Sequence, residues 1–268
     1  MQENKMIEDD KPLQTLLNAG LRVLLVDDNK VNQFLGKRIL SNLGIQSIEI
    51  AGSGEEALLK TRNFQFDVML TDVEMPGMNG YELSHQIRLE EKAGSHLTII
   101  ALTANASDDD RENAKKAGID DYLTKPYSPQ DLFEVLSKNT KIKKDFQFED
   151  IEQNEIVGIG KLYAVFNHNE NDVQHFLKML SQQLPQLIDD VWNGLQEANH
   201  EKTFHAAHKL KSPVKLLTTA SYAQKFSDFT EGIRSQQDFN QAIHQFESLK
   251  IDLDGLVMTI NMELERGN

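Results

Sequence analysis

Phe66-Asp67-Val68-Met69-Leu70-Thr71-Asp72-Val73-Glu74-Met75-Pro76-Gly77-Met78-Asn79-Gly80 is the stretch that decides the fold: an apolar strand that ends at a carboxylate and continues into a turn. In open α/β sheets, binding sites lie in the crevice above the carboxyl ends of the parallel strands. Asp72 lies at such an end. It is therefore the first candidate for a reacting group.

On both sides of this stretch, short apolar runs alternate with segments of helical periodicity. Such alternation is typical of a parallel sheet with helices on both faces. We therefore predict an α/β doubly wound domain with a five-stranded parallel sheet over residues 20–139. The predicted strands are 21–26, 45–50, 68–71, 97–102 and 121–123, and the helix following the first strand carries Val31, Phe34, Leu35, Ile39 and Leu43. The other predicted helices are 55–62, 81–90, 108–117 and 129–137.

The rest of the chain has a different pattern. Residues 140–161 are charged, without a sustained period, and are predicted to be a linker. From 162 to 265 only helical spacing is found, which predicts an all-α four-helix bundle with a kink at Pro185. The regularly spaced apolar residues of the four predicted helices lie within residues 173–195, 204–217, 222–233 and 239–260.

Composition narrows the class of protein. The chain has 268 residues and 39% hydrophobic content, which suits two ordinary domains. It has no cysteine, so a thiolate nucleophile or metal ligand is impossible. The formal charge of −14 argues against nucleic-acid binding. Because no stretch is apolar enough to span a bilayer, we expect no membrane contact and a cytoplasmic location, including the cytoplasmic tail of a sensor kinase.

Three further polar sites follow other predicted strands: Asp27-Asp28, Thr103-Ala104 and Lys125-Pro126. Each has an ordinary structural explanation when taken alone. Asp27-Asp28 could cap the next helix, Thr103 could form a turn, and Lys125 could be a surface charge. All of them, however, are expected at the same edge of the sheet as Asp72. Their conjunction is what indicates a functional site.

The residue types at this edge suit phosphoryl chemistry. Clustered carboxylates repel one another, so the site predicts a hard cation such as Mg²⁺ held by oxygen ligands. With the cation and the Lys125 ammonium neutralising phosphoryl oxygens, Asp72 could attack phosphorus and form an acyl phosphate. The Thr103 hydroxyl could donate a hydrogen bond to the phosphoryl group.

With these motifs in place, residues 20–139 resemble a two-component response regulator receiver domain of the CheY-like, flavodoxin-like type. The resemblance implies that Asp28, Asp72 and the backbone carbonyl of Glu74 ligate Mg²⁺, that Asp27 assists through water, and that Asp72 is phosphorylated. It also implies that Tyr122 is a switch aromatic that turns inward as Thr103 moves toward the phosphoryl group. A packed core tyrosine is an equally good explanation of Tyr122.

The second domain has its own candidate in the segment 204–213. The apolar stripe of Phe204, Ala207, Leu210, Val214 and Leu217 turns His208 away from the bundle core, with Lys211 about one helical turn along. An exposed imidazole can accept a phosphoryl group, and a nearby lysine would stabilise the arriving charge.

This segment resembles a histidine phosphotransfer (HPt) domain through the short motif His208-x-Leu210-Lys211. That family usually has Gly after the lysine, whereas this chain has Ser212-Pro213, which leaves open a phosphotransfer-inactive bundle. His205 is out of place for a phosphoacceptor and is assigned a surface role.

The predicted function is that of a phosphorelay intermediate, in which an upstream histidine kinase phosphorylates Asp72 and the group passes to His208 and then to a downstream receiver protein. The chain could be a free-standing relay protein or the carboxyl-terminal part of a hybrid sensor kinase. An interaction protein without transfer is one alternative. An aspartyl-nucleophile phosphatase is disfavoured, since it needs Asp-x-Asp-x-Thr after the first strand. This chain has Val26-Asp27-Asp28-Asn29-Lys30 there, and its candidate nucleophile lies on the third strand.

Overall fold

The computed structural model describes residues 20–92, 94–103, 108–140, 158–236 and 238–266, with the backbone alone for 108–110. The chain divides into two compact units, Met1–Ile151 and Glu152–Asn268. Ala104 and most of the linker predicted over 140–161 lie outside the described residues. Among the described residues, no helix combines the length and the apolar character that a membrane span requires.

The first unit contains a five-stranded sheet flanked by helices, as predicted. All four strand pairs are parallel, and the strand order β2-β1-β3-β4-β5 matches the flavodoxin-like arrangement. The strands are β1 Arg22–Val26, β2 Ser47–Ala51, β3 Val68–Asp72, β4 Thr98–Thr103 and β5 Asp121–Thr124. The helices are α1 Lys30–Asn42, α2 Gly54–Asn63, α3 Gly80–Glu90, α4 Asp108–Lys116 and α5 Pro129–Asn139.

The central strands are buried on both faces, which explains their continuous apolar runs. Every residue of β3 is buried, including the polar Thr71 and Asp72 at its end. On one face, Leu24, Met69 and Ile99 from three neighbouring strands belong to a single apolar cluster that also contains Leu83 of α3. This packing fixes the strands against one another, so the positions of their ends are fixed as well.

Helix starts are specified by local capping. The Asn29 side chain accepts from the Val31 N–H at 2.9 Å and begins α1 directly after the acidic pair. Asn79 and Glu82 form a capping box at the start of α3. These caps satisfy backbone donors at the edge where the functional residues were predicted.

The second unit is entirely helical in its described part. It contains α6 Gly160–Val165, α7 Glu170–Gln196, α8 His200–Leu217, α9 Ala220–Arg234 and α10 Phe239–Arg266. The four long helices occupy the predicted segments, and α7 continues through Pro185. The short α6 spans the boundary between the predicted linker and the predicted bundle, and its Leu162 and the following Phe166 are buried.

The long helices pack as a helical bundle. Each contacts the next along the chain, and α10 returns to contact α7, so the contacts close a ring. The largest buried side chains are Phe166, Phe176, Phe226, Phe229 and Phe246. Helices α7 and α8 approach closely at Gly194, where a Cβ atom would lie 2.5 Å from the Thr203 hydroxyl oxygen. The single tryptophan, Trp192, is half-buried in α7.

Candidate functional site

The centre of the site in the first unit is the Lys125 ammonium. Its Nζ lies 2.6 Å from an Asp27 carboxylate oxygen and 2.7 Å from an Asp72 carboxylate oxygen. The three side chains are only 6%, 1% and 3% exposed, respectively. A buried lysine therefore bridges two buried carboxylates, so the possible role of Lys125 as a solvated surface charge is excluded.

Strand register explains why these residues meet. Val26 of β1 lies opposite Thr71 of β3, which places the following Asp27 beside Asp72. On the other side, Asp72 lies opposite Leu102 of β4. Thr103 pairs with Thr124 of β5, directly before Lys125. The four polar sites predicted from different parts of the sequence thus lie at one edge of the sheet.

Asp27 has partners that sequence reasoning missed. One of its carboxylate oxygens accepts from the Asn29 N–H at 2.9 Å and from the Asn32 amide at 3.2 Å. The Gln33 amide donates to the Asp27 carbonyl at 2.6 Å. Asn32 and Gln33 lie in the first turns of α1, the helix that follows Asp27. These contacts fix the orientation of Asp27 from the helix side.

The charges at the site influence one another strongly. Burial raises the pKa of Asp27 and the Asp72 carboxylate acts in the same direction, whereas Lys125 opposes them. Burial by itself would lower the pKa of Lys125, but the attraction of Asp27 and Asp72 outweighs it, so that pKa is raised. Lys125 therefore stays protonated, and one ammonium is shared between two carboxylates.

The acidic residues fit a divalent cation. Asp27, Asp28 and Asp72 each offer a carboxylate oxygen, and these oxygens all lie within 4.8 Å of one another. Three oxygen ligands of negative charge are the donor set that Mg²⁺ favours. The Glu74 N–H donates to the second Asp72 oxygen at 3.2 Å, which places Glu74 next to this group.

The loop after Asp72 is held by close backbone packing. A Cβ on Gly80 would lie 2.3 Å from the Asp72 carbonyl oxygen, and one on Gly54 would lie 2.4 Å from the Met78 carbonyl oxygen. Gly77 has φ of +73°, a conformation that favours glycine. Glu55, another residue that the sequence analysis missed, accepts from the Met78 N–H at 2.9 Å. The Met75-Pro76-Gly77 turn is therefore fixed beside the acidic cluster.

The two predicted switch residues occupy neighbouring strands. Thr103 ends β4 and is partly exposed. Tyr122, in β5, is also partly exposed, and the Arg111 guanidinium carbon lies 5.0 Å from its ring centroid. Tyr122 is therefore not a fully packed core tyrosine. Its movement and its coupling to Thr103 stay predictions.

In the second unit, His208 lies in α8 and is half-buried, less open than the helical stripe predicted. Its ring packs beside Phe204, with centroids 5.9 Å apart. The Nδ1 atom is buried. The apolar residues Ala207, Leu210, Val214 and Leu217 face the core as expected. The ring therefore presents only part of its edge to solvent.

Lys211 departs further from the expectation of a lysine flanking an exposed histidine. Its side chain is only 5% exposed, and its ammonium lies 3.6 Å from a carboxylate oxygen of Glu231 in α9. Lys215, the next lysine along α8, has a pKa lowered by burial and by the Lys211 charge. Glu231 was not singled out from the sequence, because pairing between two helices depends on their relative rotation.

The residues that break the HPt pattern continue the helix. Helix α8 runs through Pro213, which is buried, and Ser212 is partly exposed. His205, one turn before His208, is partly exposed and lies 3.9 Å from Glu201. Its predicted surface role agrees with this position.

Comparison with known proteins identifies the first unit. The model of the response regulator receiver domain family matches residues 23–137. Chemotaxis protein CheY-3 of Vibrio cholerae is 33% identical over 126 residues, which cover 47% of this chain and 96% of that protein. Hybrid signal transduction histidine kinase I of Dictyostelium discoideum is 40% identical over 129 residues, 46% of this chain.

That match spans only 7% of the length of the hybrid kinase. Among solved structures, the receiver domain of sensor histidine kinase PA1611 from Pseudomonas aeruginosa, crystallised with magnesium in its active site cleft, is 37% identical. The match covers 45% of this chain and 98% of that chain, with a TM-score of 0.42. Through residues 23–137, the chain belongs to the response regulator receiver domain family of two-component signal transduction.

Proposed function

We propose that this chain is a phosphorelay intermediate in which Asp72 is the phosphoacceptor of the receiver domain and His208 is the phosphoacceptor of an HPt bundle. The observation that carries the proposal is the buried Lys125, which lies within 2.7 Å of both the Asp27 and the Asp72 carboxylates. Family membership supports the receiver half. The helical bundle with His208 on α8 supports the second half.

In the receiver, Asp72 attacks the phosphorus of the donor, a new P–O bond forms, and the bond from phosphorus to the donor breaks. Lys125 stays a cation and offsets the charge on the phosphoryl oxygens. The Thr103 hydroxyl donates a hydrogen bond to the product phosphoryl group. Asp27, Asp28, Asp72 and the Glu74 carbonyl would hold Mg²⁺, which when bound neutralises the charge that develops on the transferred group.

In the bundle, His208 accepts the group through the lone pair of a ring nitrogen. Because Nδ1 is buried, Nε2 is the nitrogen that takes it. The P–O bond to Asp72 breaks as the P–N bond forms, and the Asp72 carboxylate is released. The transfer occurs within one chain or between two chains. An upstream histidine kinase and a downstream receiver are the partners, and the cytoplasm is the location.

Two arrangements of the whole protein are compatible with this function. The chain is either a free-standing relay protein or a piece of a hybrid histidine kinase, as the match to a small part of such a kinase suggests. A bundle that binds partners without transfer is the second candidate function, which Pro213 inside α8 favours. The experiment below separates it from the relay.

The full chain is incubated with radiolabelled acetyl phosphate and Mg²⁺, and the label is divided into alkali-labile acyl phosphate and acid-labile phosphohistidine. We expect both kinds in the wild type. Asp72→Asn is expected to lose both, and His208→Gln to lose only phosphohistidine. Omitting Mg²⁺ with a chelator present is expected to abolish the labelling.

Two matched controls change the same residue types as the acceptors, one directly before the same strand and one on the same helix. Asp67→Asn changes an exposed carboxylate directly before β3, and His205→Gln changes a partly exposed imidazole one turn from His208. Both should label like the wild type. If acyl phosphate forms without phosphohistidine, the receiver function of Asp72 stands. The bundle is then a partner-binding domain that does not transfer phosphate. Label on neither acceptor would overturn the proposed function.

A further inference from the structure

Glu231 is placed to control the charge beside His208. Its Oε1 lies 3.6 Å from the Lys211 ammonium, and its side chain is 42% exposed, whereas that of Lys211 is 5% exposed. The anion of this pair thus reaches solvent, and the cation does not. A buried ammonium needs a counter-charge, and Glu231 supplies it from the neighbouring helix.

Helical spacing places Lys211 near the histidine. Lys211 follows His208 by three residues in α8, so the two side chains lie on the same side of the helix. Lys215 follows one turn later, and burial, with the Lys211 charge acting in the same direction, lowers its pKa. This side of α8 thus carries an imidazole and two lysines, and α9 adds the Glu231 carboxylate.

We infer that Glu231 is a positioning residue for the His208 site. Its carboxylate holds the Lys211 ammonium toward α9. It therefore competes for that ammonium with a phosphoryl group on His208. The inference rests on the proposed function, because it assigns a role to a neighbour of the second phosphoacceptor. It names a residue of α9 rather than one of the His208-x-Leu210-Lys211 motif.

The charge balance of the transfer gives Glu231 its effect. A neutral imidazole with its proton on Nδ1 attacks phosphorus through Nε2, the P–O bond to Asp72 breaks, and the ring keeps that proton and becomes an imidazolium. The product carries two negative charges on phosphoryl oxygens near Lys211. Because one ammonium then attracts both the phosphoryl group and Glu231, the carboxylate disfavours phosphohistidine.

The test measures how phosphate divides between Asp72 and His208 at equilibrium in the full chain. We expect Glu231→Gln to raise the ratio of phosphohistidine to acyl phosphate about fivefold, the change in an equilibrium constant that corresponds to about 1 kcal/mol. Glu231→Asp, which keeps the charge on a shorter side chain, should lie between the wild type and Glu231→Gln. Asp228→Asn is the matched control, since Asp228 is exposed on the same helix and accepts from Gln224. It should leave the ratio unchanged.

A double-mutant cycle separates positioning from a merely structural role. Lys211→Met removes the shared ammonium, so adding Glu231→Gln to it should change the ratio no further. The double variant also leaves no unpaired buried charge, which guards against loss of folding, and circular dichroism checks each variant.

The outcomes distinguish the inference from the function. If the wild type labels His208 and neither Glu231 variant changes the ratio, the inference is overturned and the relay stands. An equal effect of Glu231→Gln with and without Lys211→Met also overturns it. If the wild type forms no phosphohistidine, both the inference about Glu231 and the proposed relay through His208 are overturned.

Discussion

The receiver site and the His208 site both place a lysine beside a proposed phosphoacceptor, but they are built differently. In the receiver, Asp27, Asp72 and Lys125 come from the ends of three strands, and the sheet brings the Lys125 ammonium within 2.7 Å of both carboxylates. In the bundle, His208 and Lys211 share one helix, and the counter-charge Glu231 comes from another. The first site depends on strand register, and the second depends on how two helices are rotated.

This difference predicts unequal sensitivity to backbone crowding. At Gly80, a Cβ would meet the backbone oxygen of Asp72 at 2.3 Å, whereas at Gly194 it would first meet the Thr203 side chain at 2.5 Å. The Thr203 side chain can rotate away and relieve part of this crowding. The Thr203 backbone nitrogen, 2.9 Å from the same Cβ position, cannot, so some crowding remains.

We expect Gly80→Ala to destabilise the receiver by about 3 kcal/mol, the upper part of the range for overpacking, and Gly194→Ala to destabilise the bundle by about 1–2 kcal/mol. Hydrogen exchange read by mass spectrometry assigns each loss to its own unit. Equal losses of stability in the two units would contradict the predicted difference in sensitivity to backbone crowding.

The second-largest expected difference between the two units is their stabilisation by Mg²⁺. Mg²⁺ at about 100 times its Kd should stabilise the receiver by about 2.7 kcal/mol through mass action and leave the bundle unchanged. Asp28→Asn, which removes one carboxylate of the cluster, should abolish most of this gain. Exchange rates with Mg²⁺ and with chelator provide the measurement. Protection of bundle peptides by Mg²⁺ would contradict the assignment of the site to the receiver.

The smallest expected effect concerns pH. Because burial raises the pKa of Asp27 in the folded state, its stabilising contribution is fully present below the unfolded pKa of 3.8 and is lost as pH rises through the folded value. Ionised Asp27 therefore costs stability near neutral pH.

Asp27→Asn cannot ionise, so in chelator it should be the more stable protein near pH 7, by an amount on the order of 1 kcal/mol. The advantage should shrink as pH falls through the raised pKa of Asp27, where the wild-type carboxylate gains its proton. Urea unfolding across this range measures the difference. An advantage that grows on acidification would mean that the Lys125 attraction dominates over burial.

The same contrast explains what could be predicted from the sequence. Asp72, Asp27, Thr103 and Lys125 could be placed together because parallel strands share one edge, so knowing the strands was enough. The bundle helices were likewise predicted from their period. The partial burial of His208 and the pairing of Lys211 with Glu231 could not be predicted, since a one-dimensional pattern does not fix the rotation of one helix against another.

Local contacts around the receiver site were missed for a related reason. Asn32 and Gln33 belong to a helix that the pattern predicted, but nothing in the pattern indicates that they bond to Asp27. The Glu55 bond to Met78 joins residues 23 positions apart in two loop-adjacent segments. Such contacts arise only when the backbone is built in three dimensions.

The lone Trp192 gives the protein an optical label of its own. Because Trp192 is half-buried in α7 and is the single indole of the chain, its fluorescence, when it is excited selectively over the tyrosines, reports on the helical unit alone. Whether the two units melt together or apart can thus be read in the intact chain, by comparing emission with an ellipticity signal to which both contribute.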